Sequence, residues 1–235
     1  MSSLNLHQQI GGIFCDLSKT FDCVNHEILI AKLHYYGICR VALKWFKSYI
    51  TNRKQKVKIT LQNGKKDSSS RWETIKNGVP QGSILGPLLF IIYVNDFPRG
   101  INQFANPVIC ADDTSVLVSA QNLENLKLKL DFTLHYISDW FSFNGLTLNI
   151  DKTKIIKFSS NYLQNQIHQG DSINNVIKEV ANINFLGLEL DNHISWKNHV
   201  LKILPKLNRA CYAVRAMYPI SGMNTLKMIL LIFIR

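Results

Sequence analysis

The sequence predicts an α+β fold, a sheet with helices packed on one face. Segments of strand and helix periodicity follow in the order strand, helices, strands, helix, hairpin, helix, strand. That order lacks the strict βαβ alternation of a doubly wound parallel sheet. The chain has 235 residues with 46% hydrophobic content, enough for one large or two small domains with a real core.

Residues 10–15 read as a buried strand ending at Asp16. Residues 26–36 carry helical spacing (Ile28, Leu29, Leu33, Tyr36) stopped by Gly37. A second amphipathic helix spans 41–50, and 57–61 alternates with lysines as a half-exposed strand. Residues 62–70, QNGKKDSSS, are a polar turn or loop, followed by a short strand near 71–75. Residues 78–87 form a Gly/Pro loop that opens an apolar helix running to Val94. Apolar stretches at 108–111 and 116–118 read as a hairpin. Residues 122–143 form a long amphipathic helix with Leu123, Leu126, Leu130, Leu134, Ile137 and Phe141 on one side. A strand at 154–158, a polar loop or hairpin at 159–175 and a strand at 184–190 come next. From Trp196 onward the pattern is helical, with interruptions expected at Pro205 and at Ser221-Gly222.

The net charge is +11, and residues 40–76 hold eleven Lys/Arg against Asp67 and Glu73. Trp45, Phe46, Tyr49 and Trp72 are interleaved with these cations. A basic, aromatic-bearing segment suits a polyanion, nucleic acid before membrane; a solvated basic face is the plain alternative. Cys15, Cys23, Cys39, Cys110 and Cys211 are odd in number and scattered, without a Cys-x-x-Cys or Cys/His cluster. They read as reduced residues of an intracellular protein, nuclear or cytoplasmic. The N-terminus lacks the basic and apolar regions of a signal peptide, and the longest apolar run, 228–234, is too short to span a bilayer.

Asp112 and Asp113 interrupt the apolar hairpin. Two like charges there repel and resist burial, unless a cation sits between them and a third carboxylate. Asp16, at the end of its own apolar strand, is the best third carboxylate. Three such groups could hold two divalent cations about 4 Å apart and serve an in-line phosphoryl displacement. Magnesium suits an all-oxygen site of this kind. Neighbouring residues of a strand point to opposite faces, so the two aspartates should be unequal. Ordinary turn aspartates are the alternative. A phospho-acceptor receiver domain would place the acidic pair before the third aspartate, the reverse of this order.

The segments FCDLSKTFDCVNHEIL, NGVPQGSILGPLLFIIYVNDFP and CADDTSVLV, in that order, resemble the successive palm motifs of reverse transcriptases. The likeness is to those of non-LTR retrotransposons, jockey-like elements in particular. LTLNIDKTKIIKF and NFLGLELDNHISWKNHV resemble the two motifs that follow.

The resemblance implies an antiparallel palm sheet, ferredoxin-like as in right-hand polymerases, with truncated fingers and a partial helical thumb. Residues 1–200 would be the reverse transcriptase domain and 201–235 the start of the thumb. It implies RNA-directed DNA synthesis by two-metal deoxynucleotidyl transfer to a primer 3′-hydroxyl. The partners would be an RNA template, a DNA primer and deoxynucleoside triphosphates, with magnesium, or manganese in its place. Asp16 and Asp112 would be the principal metal ligands and Asp113 would complete the acidic set. Phe21 would lie under the incoming sugar and exclude a 2′-hydroxyl; a core Phe at a helix start is the alternative. Gln81 and Gly82 would line the nucleotide pocket. Lys152 would approach the triphosphate, where a solvated turn lysine is the other reading. Phe185, Leu186 and Gly187 would lie in the strand that grips the primer, although core burial would equally suit Phe185. Thr20 and Cys110 depart mildly from the family pattern, which often has Ala and an aromatic there. Met1 precedes Asp16 by only fifteen residues, so upstream fingers and an endonuclease domain are expected to be missing. An inactive transposon-derived fragment that at most binds nucleic acid is the competing expectation.

Overall fold

A computed structural model describes residues 8–59, 68–110, 113–158 and 177–234. Five connected strands form the main sheet, in the order β10-β9-β1-β7-β6. They are β1 (Gln9–Ser18), β6 (Asn106–Cys110), β7 (Asp113–Ala120), β9 (Lys154–Phe158) and β10 (Lys178–Glu179). The short β8 (Thr147–Leu148) pairs with the end of β1. Pairing is antiparallel except at the edge, where β10 runs parallel to β9. The remaining strands are the pairs β2 (Lys54–Gln55) with β5 (Glu73–Thr74), β3 (Lys58–Ile59) with β4 (Ser68–Ser69), and β11 (Asn182–Phe185) with β12 (Leu188–Asp191).

β1 is central and sorts its side chains by parity. Ile13, Cys15 and Leu17 face the larger core, whereas Phe14 joins a smaller cluster on the opposite face. The larger core is closed by helices α1 (His26–Tyr35), α3 (Leu85–Val94), α4 (Phe97–Ile101) and α5 (Leu123–Phe143). Asn25 starts α1, its Oδ1 accepting from the N–H of Glu27 and Ile28 at 2.9 and 3.1 Å. Asn122 starts α5 in the same way, accepting from the Asn125 N–H at 2.8 Å. The α5 stripe buries Leu126, Leu130, Leu134, Ile137 and Phe141 as expected, while Leu123 in the first turn is only half-buried. Each fully buried side chain of this kind contributes roughly 1.5–3 kcal/mol. Gly11 of β1 lets α5 approach, since a Cβ there would lie 2.9 Å from Leu130 Cδ1.

The smaller cluster joins Phe14, Ile156 and Phe158 of the sheet to Ile183 of β11. Helix α2 (Arg40–Ile50) carries part of the basic segment, and α6 (Lys197–Met217) and α7 (Met223–Ile234) end the described chain. Among the described residues no helix is long and apolar enough to cross a membrane.

Three expectations are corrected. The strand expected at 184–190 is a hairpin, because Leu186 and Gly187 both take positive φ, 48° and 81°, as a two-residue type I′ turn requires. Pro205 does not interrupt its helix: α6 continues through it, giving up one backbone hydrogen bond. The break at Ser221-Gly222 does occur. The polar stretch 62–70 ends in β4, which pairs with β3. Residues 60–67 and the loop expected at 159–175 lie outside the described residues.

Candidate active site

β1 and β7 bring two carboxylates together. Asp16 and Asp113 are direct cross-strand partners. Both lie on the sheet face that carries Phe14 and Leu117, by the two-residue period of their strands. The adjoining pair, Cys110 with Asp113, closes the β6–β7 hairpin. Asp112 falls between them and lies outside the described residues.

Lys152 reaches this pair from the β8–β9 connection. Its ammonium lies 3.3 Å from Asp16 Oδ2, with the lysine side chain 66% and the aspartate side chain 37% exposed. Asn149 builds the turn that holds it. The Asn149 N–H donates to the Asp16 carbonyl at 2.9 Å, and the Asn149 carbonyl accepts from the Thr153 N–H at 2.8 Å. Asn149 Oδ1 accepts from the Lys152 N–H at 3.3 Å. The turn is thereby tied to the backbone of the aspartate that the lysine faces. Nothing in residue type singled out Asn149; its spacing of three before Lys152, as in an Asx turn, was the available signal.

Asp16, Asp113 and Lys152 line a cleft of about 320 Å³ with Phe14, Asp151, Lys154, Asn184 and Phe185. The Phe185 ring meets Phe14 edge-on at 5.1 Å, so it both packs on the sheet and borders the cleft. Leu186, at the hairpin tip with Gly187, is 51% exposed.

Phe21, Gln81 and Gly82 are brought together at a second cleft of about 340 Å³, with Leu17, Lys19, Thr20, Pro80 and Pro87. The two clefts meet successive residues of β1, Asp16 and Leu17. The half-buried Phe21 ring lies 5.2 Å from Phe90 of α3. Gln81 Nε2 donates to Asp22 Oδ1 at 3.1 Å, a partner that sequence reasoning missed. Backbone bonds clamp this loop to the β1–α1 turn: Val79 N–H to Phe21 O at 2.8 Å and Gly78 N–H to Val24 O at 2.7 Å. The Gly78 carbonyl also contacts buried His26 Nε2 at 2.8 Å. A third hollow of about 650 Å³ adjoins Gln81 and presents Lys19, Arg53 and Lys76.

The donor set at the first cleft fits a hard divalent cation: half-exposed carboxylates from two neighbouring strands, in direct cross-strand register. An ammonium already lies beside one of them. Among the described residues no cluster of three His, Cys, Asp or Glu forms a complete metal site; the expected third carboxylate, Asp112, is not among them.

An antiparallel sheet with paired carboxylates at one end, flanked by a Gly/Pro loop, fits the palm of a template-directed polymerase. The chain belongs to the reverse transcriptase (RNA-dependent DNA polymerase) family, whose model matches residues 2–190. Among its relatives are RNA-directed DNA polymerases of Drosophila transposons and mobile elements. It is 27% identical over 212 residues to the probable RNA-directed DNA polymerase from transposon BS of Drosophila melanogaster, covering 85% of this chain and 22% of that protein. It is 26% identical over 199 residues to the RNA-directed DNA polymerase from mobile element jockey of the same species, covering 82% of this chain and 21% of that protein. The chain thus spans about a fifth of the length of these relatives. The fold is similar to that of an apo telomerase from Candida tropicalis, with a TM-score of 0.51 and 16% identity over 80% of this chain and 35% of that one.

Proposed function

We propose that this chain carries the palm of an RNA-directed DNA polymerase and contributes to deoxynucleotide transfer onto a primer 3′-hydroxyl. The observation that carries the reading is the opposed pair Asp16 and Asp113, with Lys152 beside it in an open cleft. Asp16, Asp113 and Asp112 would hold magnesium, or manganese. When bound, the ions would supply charge stabilisation to the attacking and leaving oxygens. Asp16 and Asp113 are direct cross-strand partners and would define where that charge sits. Lys152 would present its ammonium to the triphosphate and protonate the departing pyrophosphate. Phe21, supported by Phe90, would set the floor of the nucleotide pocket, with Gln81 and Gly82 along its side. Phe185, Leu186 and Gly187 would meet the primer from the β11–β12 hairpin. Residues 1–200 would form the catalytic domain with part of the fingers, and 201–235 the beginning of the thumb.

The surface of residues 40–76 would hold the template. Trp45 and Trp72 are exposed; Trp45 stacks on Tyr49 at 5.5 Å, and the Lys56 ammonium lies 4.9 Å from the Trp72 ring centre. Exposed rings among cations suit stacked bases and backbone phosphates. Binding of RNA or DNA should be sequence-tolerant and weaken steeply with salt.

Primer extension on an RNA template tests the reading. Magnesium-dependent extension that is lost in Asp16→Asn and Asp112→Asn supports it. Extension equal to that of the variants overturns it, and salt-sensitive binding without extension would leave a nucleic-acid-binding module in its place.

A further inference from the structure

A carboxylate away from the clefts is densely hydrogen-bonded. Asp191, the last residue of β12, is only 5% exposed. Its Oδ1 accepts from the N–H groups of His193 and Ser195, each at 3.0 Å. Its Oδ2 accepts from the Ser195 N–H at 3.1 Å, the Ser195 hydroxyl at 3.0 Å and the Trp196 N–H at 3.1 Å. Burial opposes the charge, but the hydrogen bonds from Ser195, His193 and Trp196 outweigh it and hold the carboxyl below its ordinary range.

The segment gathered around this carboxylate is strained. Ile194 and Trp196 take left-handed backbone conformations, φ 53° and 60°, and for a β-branched residue that is a costly choice. Helix α6 starts at the next residue, Lys197. The strain is repaid by a sharp reversal that lays α6 against the hairpin it follows. Three further contacts tie the same two elements: the Glu189 N–H to His199 Nδ1 at 3.2 Å, Asn198 Nδ2 to Asn182 Oδ1 at 3.2 Å, and Lys202 Nζ to Glu189 Oε2 at 3.3 Å.

We propose that Asp191 is a positioning residue that locks the β11–β12 hairpin to helix α6, so that the tip Leu186–Gly187 and the helix meet a primer duplex as one rigid body. The proposal rests on the polymerase reading for the identity of that ligand. α6 is suited to the task. It carries Lys197, Lys202, Lys206, Arg209 and Arg215 and no acid, and Leu201 and Leu204 are exposed along it. Asp191 touches no substrate in this arrangement; it sets the angle between two elements that do. A conserved shape without the charge, as in Asp191→Asn, would place an amide N–H₂ against backbone donors and release the reversal.

The test uses the full 235-residue chain, a fluorescent RNA–DNA hybrid, single-stranded RNA and amide hydrogen exchange. Asp191→Asn should accelerate exchange at His193, Ser195 and Trp196 by roughly ten- to a hundredfold, the scale of a lost bond to a charged acceptor. It should weaken hybrid binding about tenfold while leaving single-stranded RNA binding, carried by residues 40–76, unchanged. Ser195→Ala, which removes only one donor hydroxyl, should move both readouts the same way by less and keeps the test open should Asp191→Asn fold poorly. Faster exchange with unchanged hybrid affinity overturns the proposal, leaving Asp191 a helix-start cap only. Unchanged exchange also overturns it. A wild-type chain that binds hybrid no better than single strands overturns it through the polymerase reading, a failure recognisable without any variant.

Discussion

Asp16 and Asp113 stand directly opposite one another across β1 and β7, two carboxylates in neighbouring register on one face of the sheet. Like charges so placed destabilise a strand pair by roughly 0.2–1 kcal/mol. Lys152 offsets little of this, because at 66% exposure its ion pair with Asp16 is screened by water. Millimolar magnesium should therefore raise the melting temperature of the wild type by about 1–3 °C and leave that of Asp113→Asn nearly unchanged, whatever the order of the two without it. A difference in melting temperature that ignores magnesium would remove Asp113 from the metal-binding set.

The sequence pointed to Asp16 and the hairpin aspartates, with Asp112 expected beside Asp16 as the principal ligand; that Asp113 is the direct cross-strand partner of Asp16 came only from the β1–β7 register. Residues 154–158 were read as a strand and β9 spans them, because a short apolar run with flanking polar residues has one period to offer. The α5 stripe was equally plain. β8 was missed because two residues carry no periodicity; only their pairing with Leu17 and Ser18 defines them. The run Phe185-Leu186-Gly187-Leu188 looked like strand because it is apolar, and Gly187, the one sign of a turn, was outvoted. Asn149 and Asp191 accept from backbone N–H groups on their side chains, and Asp22 accepts from the Gln81 amide, contacts that no residue type announces.

Phe21 has two possible duties that one substitution separates. Its ring is half-buried and packs 5.2 Å from Phe90, so Phe21→Val should cost roughly 1–2 kcal/mol of stability whatever its role. As a sugar gate it should in addition raise incorporation of ribonucleotides relative to deoxynucleotides. Measured in an active context, a lower denaturation midpoint with unchanged sugar selectivity would make Phe21 a core residue alone.

Gly78 holds the Gly/Pro loop against the β1–α1 turn with φ +92°, and a Cβ there would lie 2.9 Å from Asp22 Cα and from the Asp22 carbonyl oxygen. Gly82 shares the positive φ, +77°, but has open space around it. Gly82→Ala should thus cost only the left-handed backbone strain, about 1–2 kcal/mol. Gly78→Ala should add about 1–3 kcal/mol of overpacking against backbone that cannot yield. Urea denaturation of the two variants checks the order, and equal losses would mean the loop is free to shift.

Lys152 is anchored by backbone rather than by its own ion pair. Lys152→Gln should shift stability by less than about 1 kcal/mol, since the pair with Asp16 is exposed. If the ammonium serves the departing pyrophosphate, single-nucleotide extension should slow by roughly a hundredfold, with little change in nucleotide KM. A rate within twofold of wild type would return Lys152 to the role of a turn lysine.

Cys15 lies next to Asp16 but on the other face of β1, 4% exposed, and burial pushes its thiol from 9.0 up to about 12. At neutral pH the thiol is protonated whether the chain is folded or not, and it contributes no pH dependence. Above about 9 the unfolded chain ionises this group while the folded chain does not. The unfolded state then binds fewer protons, and stability falls with pH by about 1.4 kcal/mol per unit until the folded thiol also ionises. Cys15→Ala should flatten that alkaline arm, measurable as urea midpoints at pH 7, 9 and 10. The part that remains belongs to other buried acids such as Tyr93, whose hydroxyl burial also raises. Wild-type Cys15 should resist alkylation in the folded chain and react on unfolding, whereas exposed Cys110 reacts at once. Equal labelling of both in the native state would mean that β1 opens locally, and with it the strand on which Asp16 is carried.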